Sequence, residues 1–564
     1  GVKVAIIDSG IDWQHPDFYR PNYSNTFEIM ENNGGQPYID FDKDGAWDYG
    51  EQAVINHTSI MKNGKNYAST EIDLGIDYGY NDENLNEQYD YGQETICYYQ
   101  DEDQNGQINS GDTAIALGES KIDIIRDYWN NKIYVNGVNL TDPGINNEVD
   151  TDGHGTHVAG IIAGGWPTLR NFTGVAPNST LMVYKYNNPL QAILDAVNDG
   201  ADIISISLGQ YFRDLSLDGS PKSEGGSYFD EYVDWAYDQG VPVVVSAGNS
   251  ANDNAHTYNE IPAMNSQPGS FSIQFDLQSY GSNPYELDFT NLWLSPHNKI
   301  GVNITIPNPE GAGIITIPDE YYDPTLAWDG QPHEYLPSGL SQPLIIKRYR
   351  NQKNINGVNK SFINITYTGG NLASGNGEYT VLNFGSNVQK VHSYIHTIQS
   401  NSAWYSGWPA SEWTEYINKN YTLTSPATAN HSITVGSFIS DGTNLGEISI
   451  FSSRGPRIDG KRALDLIAPG EVLLAAASKD DTTESFDIGD YTDKQGTSMA
   501  TPFISGVIAL AMESNSELQR NPELVKDLLL NSTFEDEYTK KFGEGYNNVT
   551  GYGKINASLM LQNV

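Results

Sequence analysis

Cysteine is all but missing: Cys97 is the only one in 564 residues, which excludes an intramolecular disulfide. Such a count is usual for reducing compartments. Basic side chains are scarce as well. Lysine and arginine number 31 against 72 acidic residues, for a net charge of −41. That charge would repel a phosphate backbone, so nucleic-acid binding is excluded, while solubility and cation binding are favoured. No apolar run approaches the ~20 residues of a transmembrane helix, so no membrane span is expected in this chain. A charged-then-apolar leader is missing too. The chain opens directly on an apolar strand, Val2 to Ile7, which predicts an upstream segment removed or left out.

What is present is a globular composition, 38% hydrophobic and 18% charged. The length is too great for one core, and roughly two to four domains or large insertions are expected. Thirteen Asn-x-Ser/Thr sequons, among them Asn22, Asn56, Asn171, Asn303, Asn364 and Asn548, point to secretion and glycosylation. A chain rich in Asn, Ser and Thr also makes sequons by chance, so the weight falls on the chemistry of the motifs.

The central motif is Gly496-Thr497-Ser498-Met499-Ala500-Thr501-Pro502, followed by the apolar run Phe503 to Leu510. The run has the periodicity of a buried helix, and Pro502 suits a first turn. Ser498 then sits at a helix N-terminus, where free N–H groups and the dipole favour a developing negative charge. An acyl-transfer nucleophile profits from that position; a helix-capping serine is the alternative. Asp8 ends an apolar strand, at the edge where open α/β sheets collect ligands and catalytic groups. In Asp150 to Gly164, His154 stands at the start of a small-residue helix. A His there can act as general base if a carboxylate fixes its tautomer. His157 reads as a packed core histidine, because a zinc site would need His-Glu-x-x-His and a third ligand.

Strand and helix alternate from 174 to 249. Leu181–Tyr184, Ala201–Gly209 and Val241–Asn249 read as buried strands, and Leu190–Asp199 and Phe229–Gln239 as helices. The fold class is therefore α/β with a doubly wound parallel sheet. Asn249 falls at a strand end, where its amide can donate to an oxyanion or simply make a turn.

Two acidic segments have calcium-loop spacing. The first offers Asp40, Asp42, Asp44, the Ala46 carbonyl, Asp48 and Glu51, with Gly45 at the sharp turn. The second repeats the layout with Asp101, Asp103, Asn105, Gln107, Asn109 and Asp112, a shorter final arm replacing Glu. Oxygen ligands this dense suit a hard cation, so Ca2+ is the expected cofactor. The helices that flank EF-hand loops are missing. Cys97 reads as a buried thiol, with no basic group beside it in sequence.

Three segments, Asp8-Ser9-Gly10, His154-Gly155-Thr156-His157-Val158-Ala159-Gly160 and Gly496-Thr497-Ser498-Met499-Ala500, resemble the signature segments of the subtilisin-like serine proteases, in that family's order of Asp, His and Ser. Supporting matches are Gly174–Pro177, Ser207-Leu208-Gly209, Ala247-Gly248-Asn249, Phe451–Pro456, Ala468-Pro469-Gly470 and Gly551–Ala557. The last match and the long gap before His154 resemble the pyrolysin-like branch. The resemblance implies a subtilisin-like fold, a triad of Asp8, His154 and Ser498, and an oxyanion hole using Asn249. It makes Ser207, Leu208 and Gly209 the edge to which peptide and protein substrates add, beside the S1 pocket. Gln210 stands where the family often has a second glycine.

The expected division is catalytic segments 1–15, 150–251 and 425–564, an acidic calcium insertion over 16–149, and a β-sandwich over 252–424. That last unit resembles the jelly-roll domains some subtilases carry. Its runs Ser270–Leu277, Lys299–Ile306, Leu344–Tyr349, Ser361–Tyr367 and Glu378–Phe384 alternate like strands. Trp404, Trp408 and Trp413 are expected to pack the domain junction. The reading is a secreted, calcium-stabilised serine endopeptidase, with an N-terminal propeptide as a further partner. An exopeptidase of tripeptidyl-peptidase type and an inactive peptide-binding shell are the alternatives. Surface attachment through the acidic insertion is a third.

Overall fold

The computed structural model describes residues 1–564 outside 33–34, 36, 47–53, 57–59, 63–64, 67–76, 82–93, 106, 141–149, 187, 210–227, 278–285, 295–298, 321–322, 324–325, 352–358, 399–410, 443, 484 and 488. Among the described residues, ten strands build the central sheet. In chain order they are β1 (Lys3–Asp8), β2 (Ile122–Asp127), β3 (Lys132–Val135), β4 (Thr180–Lys185), β5 (Ile203–Ile206), β6 (Val243–Ser246), β7 (Ile433–Ile439), β8 (Leu466–Glu471), β9 (Thr533–Phe534) and β10 (Lys554–Ile555). The helices are α1 (His154–Ala163), α2 (Pro189–Asn198), α3 (Tyr228–Asp238), α4 (Thr497–Ser514), α5 (Pro522–Asn531) and α6 (Ala557–Gln562).

Across the sheet the order is β3-β2-β4-β1-β5-β6-β7-β8-β10-β9. Every neighbouring pair from β2 to β10 is parallel, and β3 and β9 close the two edges antiparallel. Parallel strands buried on both faces need unbroken apolar runs, and β1 shows why. Val4 and Ile6 enter one core with Val158, Ile162, Ile504 and Ile508 of α1 and α4. Ala5 and Ile7 enter the opposite core with Ala192 and Ile193 of α2 and Val233 of α3. Helices thus cover both faces, as an α/β doubly wound sheet requires.

The stretch 16–149, read from composition as an acidic insertion, supplies β2 and β3 to this sheet. It also folds a second, antiparallel sheet in the order Pro37–Ile39, Tyr19–Glu31, Thr113–Ser120, Ile96–Gln100, Tyr78–Tyr80, Val54–Asn56. Cys97 lies inside it, fully buried, and burial pushes its thiol pKa up, so it stays protonated.

Between β6 and β7 lie two further antiparallel sheets. Six strands follow the order His256–Ile261, Gln389–Ile398, Glu286–Trp293, Asn359–Tyr367, Leu344–Asn351, Pro332–Tyr335. Five follow the order Ile314–Ile317, Ile300–Pro307, Gly375–Asn383, Gly269–Leu277, Ser411–Trp413. Their inward residues form one core, including Phe275, Phe289, Ile304, Ile365 and Tyr379. Trp413, expected at the domain junction, belongs to that core. It is fully buried against Phe275, Phe289 and Tyr379, and its indole N–H donates to Ala255 O at 2.9 Å. Trp404 and Trp408 lie outside the described residues.

Candidate active site

The carboxyl edge of the central sheet gathers the residues that the motifs single out. Asp8 ends β1, and in the β1–β5 register Ile7 faces Ile206, so Ser207 follows on the neighbouring strand. Ile206 in turn faces Val245, so the chain leaving β6 carries Asn249 past the same edge. The strand order reverses about β1, and such reversals open a crevice at the carboxyl ends.

His154 starts α1 directly beside Asp8. Its Nδ1 lies 2.7 Å from Asp8 Oδ1. The carboxylate accepts, so the proton rests on Nδ1 and Nε2 is left as the proton acceptor. Burial lowers the His154 pKa, but the charge and hydrogen bond of Asp8, with Asp152 adding to them, outweigh this and leave it raised above the ordinary 6.5. Asp8 is itself held: its Oδ1 also accepts the Ser9 N–H at 2.8 Å. Asp150 anchors the start of α1. One oxygen accepts the Gly153 N–H (3.1 Å) and the Ser9 hydroxyl (2.7 Å). The other accepts the Thr156 N–H and hydroxyl, both at 2.8 Å. The helix sits so close to β1 that a Cβ at Gly155 would come within 2.2 Å of Gly10 O. Only glycine permits that approach.

His157 is a core residue, as its sequence position suggests. Its Nε2 lies 3.0 Å from both Leu473 O and Thr492 O, and burial takes its pKa down to about 3. With His157 on carbonyls and His154 on a carboxylate, the pair does not make a metal site.

Ser498 is the second residue of α4, which starts at Thr497. Pro502 therefore lies in the helix body and not in the first turn. Its ring removes the N–H that would bond Ser498 O four residues back. The hydroxyl of Ser207 takes that carbonyl instead, at 2.8 Å. In the other direction the Ser498 hydroxyl donates to Ser207 O at 3.0 Å. The two serines thus lock the start of α4 to the end of β5.

The Asn249 amide has a defined orientation. Its Oδ1 accepts the Thr497 N–H (2.9 Å) and the Thr497 hydroxyl (3.0 Å). Nδ2 is consequently turned toward the Gly496–Ser498 corner. A Cβ at Gly496, whose φ is +151°, would lie 3.3 Å from it. Thr497 is nearly fully buried, and its Oγ1 also accepts the Gly248 N–H at 3.1 Å. Thr497 and Asp150 are the structural partners the motif reading passed over. Both lie inside quoted motifs, but nothing in a sequence says which neighbours of a candidate residue hold it.

The segment Ser207-Leu208-Gly209 leaves β5 from a buried serine to an exposed glycine, forming an edge beside Ser498. Gln210 lies outside the described residues.

The acidic loops are remote in sequence from this edge. Carboxylate oxygens of Asp40, Asp42 and Asp44 lie within 4.8 Å of one another, as do those of Asp101, Asp103 and Asp112. The loops share one backbone plan. Asp44 N–H donates to Asp40 and Asp42 (3.2 and 3.0 Å), and Ala46 N–H to Asp44 (2.7 Å). Asn105 N–H donates to Asp101 and Asp103 (3.2 and 3.1 Å), and Gln107 N–H to Asn105 (2.7 Å). Asp112 is turned inward onto the N–H groups of Glu102 and Asn109 (3.0 and 2.9 Å). Strands flank the second loop, not helices. Asp48 and Glu51 lie outside the described residues.

A doubly wound sheet with an Asp-paired His and a helix-borne Ser at its carboxyl edge defines a class of hydrolase-like α/β proteins. The subtilase family profile matches residues 1–273 and 372–553, and the chain belongs to that family of serine proteases. Among its relatives, serine protease AprX of Bacillus subtilis is 35% identical over 144 residues, covering 24% of this chain and 31% of that protein. The CO(2)-response secreted protease of Arabidopsis thaliana is 26% identical over 387 residues, 64% of this chain and 46% of the relative. The minor extracellular protease Vpr of Bacillus subtilis is 25% identical over 395 residues, 67% and 41%. The chain thus spans less than half the length of these relatives. The solved structure of the Clostridium perfringens CspB protease superposes with a TM-score of 0.61 at 19% identity, covering 100% of this chain and 94% of that one, which shows the same fold.

Proposed function

We propose that the chain is a serine endopeptidase in which Ser498 is the nucleophile, His154 the general base and then acid, and Asp8 the residue that orients His154. The observation that carries this reading is the 2.7 Å Asp8–His154 contact at the same sheet edge as the α4 N-terminus. With Nδ1 engaged by Asp8, Nε2 is the nitrogen that takes the serine proton. A substrate strand adding to Ser207-Leu208-Gly209 offers an N–H to Ser207 O. The Ser498 hydroxyl, now donating to that carbonyl, is displaced and turns to His154. Attack on the scissile carbonyl then forms an oxyanion between Asn249 Nδ2 and the Ser498 N–H at the positive end of α4. His154 returns the proton to the leaving amine, and water repeats the sequence on the acyl-enzyme.

The acidic loops are proposed calcium sites. Their clustered carboxylates and Asx-turned backbones fit a hard cation, with Asp40, Asp42, Asp44, Asp48, Glu51 and the Ala46 carbonyl holding one ion. Asp101, Asp103, Asn105, Gln107, Asn109 and Asp112 hold a second. Calcium would supply cross-linking of the loops, with no part in the chemical step. A secreted location fits the sequons and two relatives, one a secreted and one an extracellular protease. One sequon cannot be used in the folded chain: Asn359 is buried, and its amide donates to Trp293 O at 3.3 Å.

The test is hydrolysis of an unfolded protein by wild type and by Ser498→Ala. Internal fragments that vanish in Ser498→Ala support the endopeptidase. Release of short N-terminal peptides alone, or no cleavage by folded wild type, refutes it.

A further inference from the structure

The chain segments beside Ser498 enclose a slot, and one side chain closes it. Strands β5 and β6 pair as far as Ile206 and Val245. Beyond that level each chain turns to other partners. Ser207 bonds Ser498 twice, at 2.8 and 3.0 Å. Ala247 N–H donates to Val435 O of β7 (2.9 Å), and Gly248 O accepts the Ser453 N–H (2.9 Å). Asn249 then reaches Thr497, the residue before Ser498. Ser207-Leu208-Gly209 and Ala247-Gly248-Asn249 are thus two walls that meet Ser498 at one end.

Each wall carries a glycine, and the two glycines mark the depth. A Cβ at Gly209 would lie 2.4 Å from Thr424 Oγ1 and 3.1 Å from Thr424 Cβ. A Cβ at Gly248 would lie 2.8 Å from Thr424 Cγ2 and 2.9 Å from its Oγ1. Both walls therefore need glycine at the height of one threonine, whose side chain spans from wall to wall.

Thr424 is buried, and its backbone is held on both sides. Its N–H donates to Ala247 O (3.1 Å), and its carbonyl accepts the Ala427 N–H (2.7 Å). Just beyond it, the Ser425 and Thr428 hydroxyls donate to the buried Asp230 carboxylate of α3 (2.8 and 2.7 Å). The floor cannot sink without breaking these bonds. What it presents is a methyl group and a hydroxyl whose own contact with Ala247 O is long, at 3.5 Å.

We propose that this slot receives the side chain of the residue whose carbonyl is attacked, and that Thr424, as its floor, restricts that residue to glycine, alanine or serine. The inference rests on the protease reading. A substrate strand paired with Ser207-Leu208-Gly209 lies ~4.8 Å from it, and successive side chains point to opposite faces. The residue carried to Ser498 in this way turns its side chain between the walls. A leucine or phenylalanine there meets Thr424 before its carbonyl reaches the Ser498 hydroxyl.

The test uses coumarin amides of acetyl-Ala-Ala-Xaa, with alanine, leucine or phenylalanine at the last position. Wild type should hydrolyse the alanine peptide with a kcat/KM about tenfold or more above the other two. Thr424→Ala removes Oγ1 and Cγ2 and keeps Cβ, so the leucine-to-alanine ratio should rise about tenfold. A wild type that favours leucine or phenylalanine, or a ratio that Thr424→Ala leaves in place, overturns the proposal; if Thr424→Ala does not fold, the wild-type ranking decides. Binding separates this proposal from the protease reading. Calorimetric titration of Ser498→Ala with acetyl-Ala-Ala-Xaa-Ala-Ala amides should rank alanine above leucine, and the gap should narrow in the Ser498→Ala, Thr424→Ala double variant. That pattern beside an inactive wild type would refute the endopeptidase and keep the slot. Equal binding of the alanine and leucine peptides to Ser498→Ala would refute the slot whatever the activity.

Discussion

Thr497→Val isolates the aim of the Asn249 amide. Valine keeps the volume of a nearly fully buried side chain and removes only the hydroxyl. Two bonds go: the one donated to Asn249 Oδ1 (3.0 Å) and the one accepted from Gly248 N–H (3.1 Å). The Thr497 N–H still holds Asn249 Oδ1 at 2.9 Å. The amide keeps one of its two anchors, so the loss in the transition state is about 1–2 kcal/mol, the scale of one neutral bond plus some misalignment. That corresponds to a fall in kcat of about 5- to 30-fold. Removing the donor altogether, in Asn249→Ala, should cost about 10²–10³. KM should barely change in either variant, because the contact forms only when the carbonyl oxygen becomes an oxyanion. The assay is steady-state hydrolysis of one peptide taken from a casein digest, for wild type, both single variants and the double variant. If Thr497 acts through Asn249, the Thr497→Val effect nearly disappears in the Asn249→Ala background. An undiminished effect there refutes the reasoning.

Three further outcomes are expected. Asp152 raises the His154 pKa, and a general base must be neutral, so on the proposed mechanism the acid limb of kcat/KM should lie above pH 6.5 in wild type and move to lower pH in Asp152→Asn; an unmoved limb contradicts the coupling. A calcium chelator should lower the melting temperature, and the response should shrink in an Asp40→Asn, Asp101→Asn double variant; an unchanged response argues against the acidic loops as the ion sites. Phe289→Ala, in the shared core of the two inserted sheets, should cost about 3–5 kcal/mol of stability by denaturant titration, and a loss under 1 kcal/mol would mean the core is not packed as described.

The central sheet was legible where its physics is local. Val4 to Ile7 are apolar on both faces, and no solvated strand tolerates that. The α4 helix was legible from its apolar run, but its start was not: Pro502 suggested a boundary that the Ser207 hydroxyl makes unnecessary. The antiparallel sheet within 16–149 was hidden for another reason. Tyr19–Glu31 contains Pro21 and two register shifts against Thr113–Ser120, and Tyr78–Tyr80 has three residues, too few to show a period. Asp8 and His154 were recognisable as a pair only through the family motifs, since 146 positions separate them. Lys121 offered no signal. A lysine in sequence reads as surface, yet this one is buried, its Nζ donating to Asp17 O, Ala163 O and Gly165 O.

The strand order of the central sheet also dictates a timetable. β1 pairs with β4 and β5, so during synthesis residues 3–8 wait for residues 180–206 before they find a neighbour. At ribosomal speeds of about 5–20 residues per second, that wait is on the order of ten to forty seconds. The helix bearing Ser498 arrives later still, and β10 joins β8 only through the pairing of Lys554 with Ile467. The two sheets between β6 and β7 pair almost wholly within their own segment and can condense on the way. A nascent chain therefore carries a finished accessory unit beside an open, half-built sheet for much of its synthesis. The edge that gathers Asp8, His154 and Ser498 comes together only near the end, so a partial chain holds the Asp8–His154 pair before the helix that carries Ser498 exists.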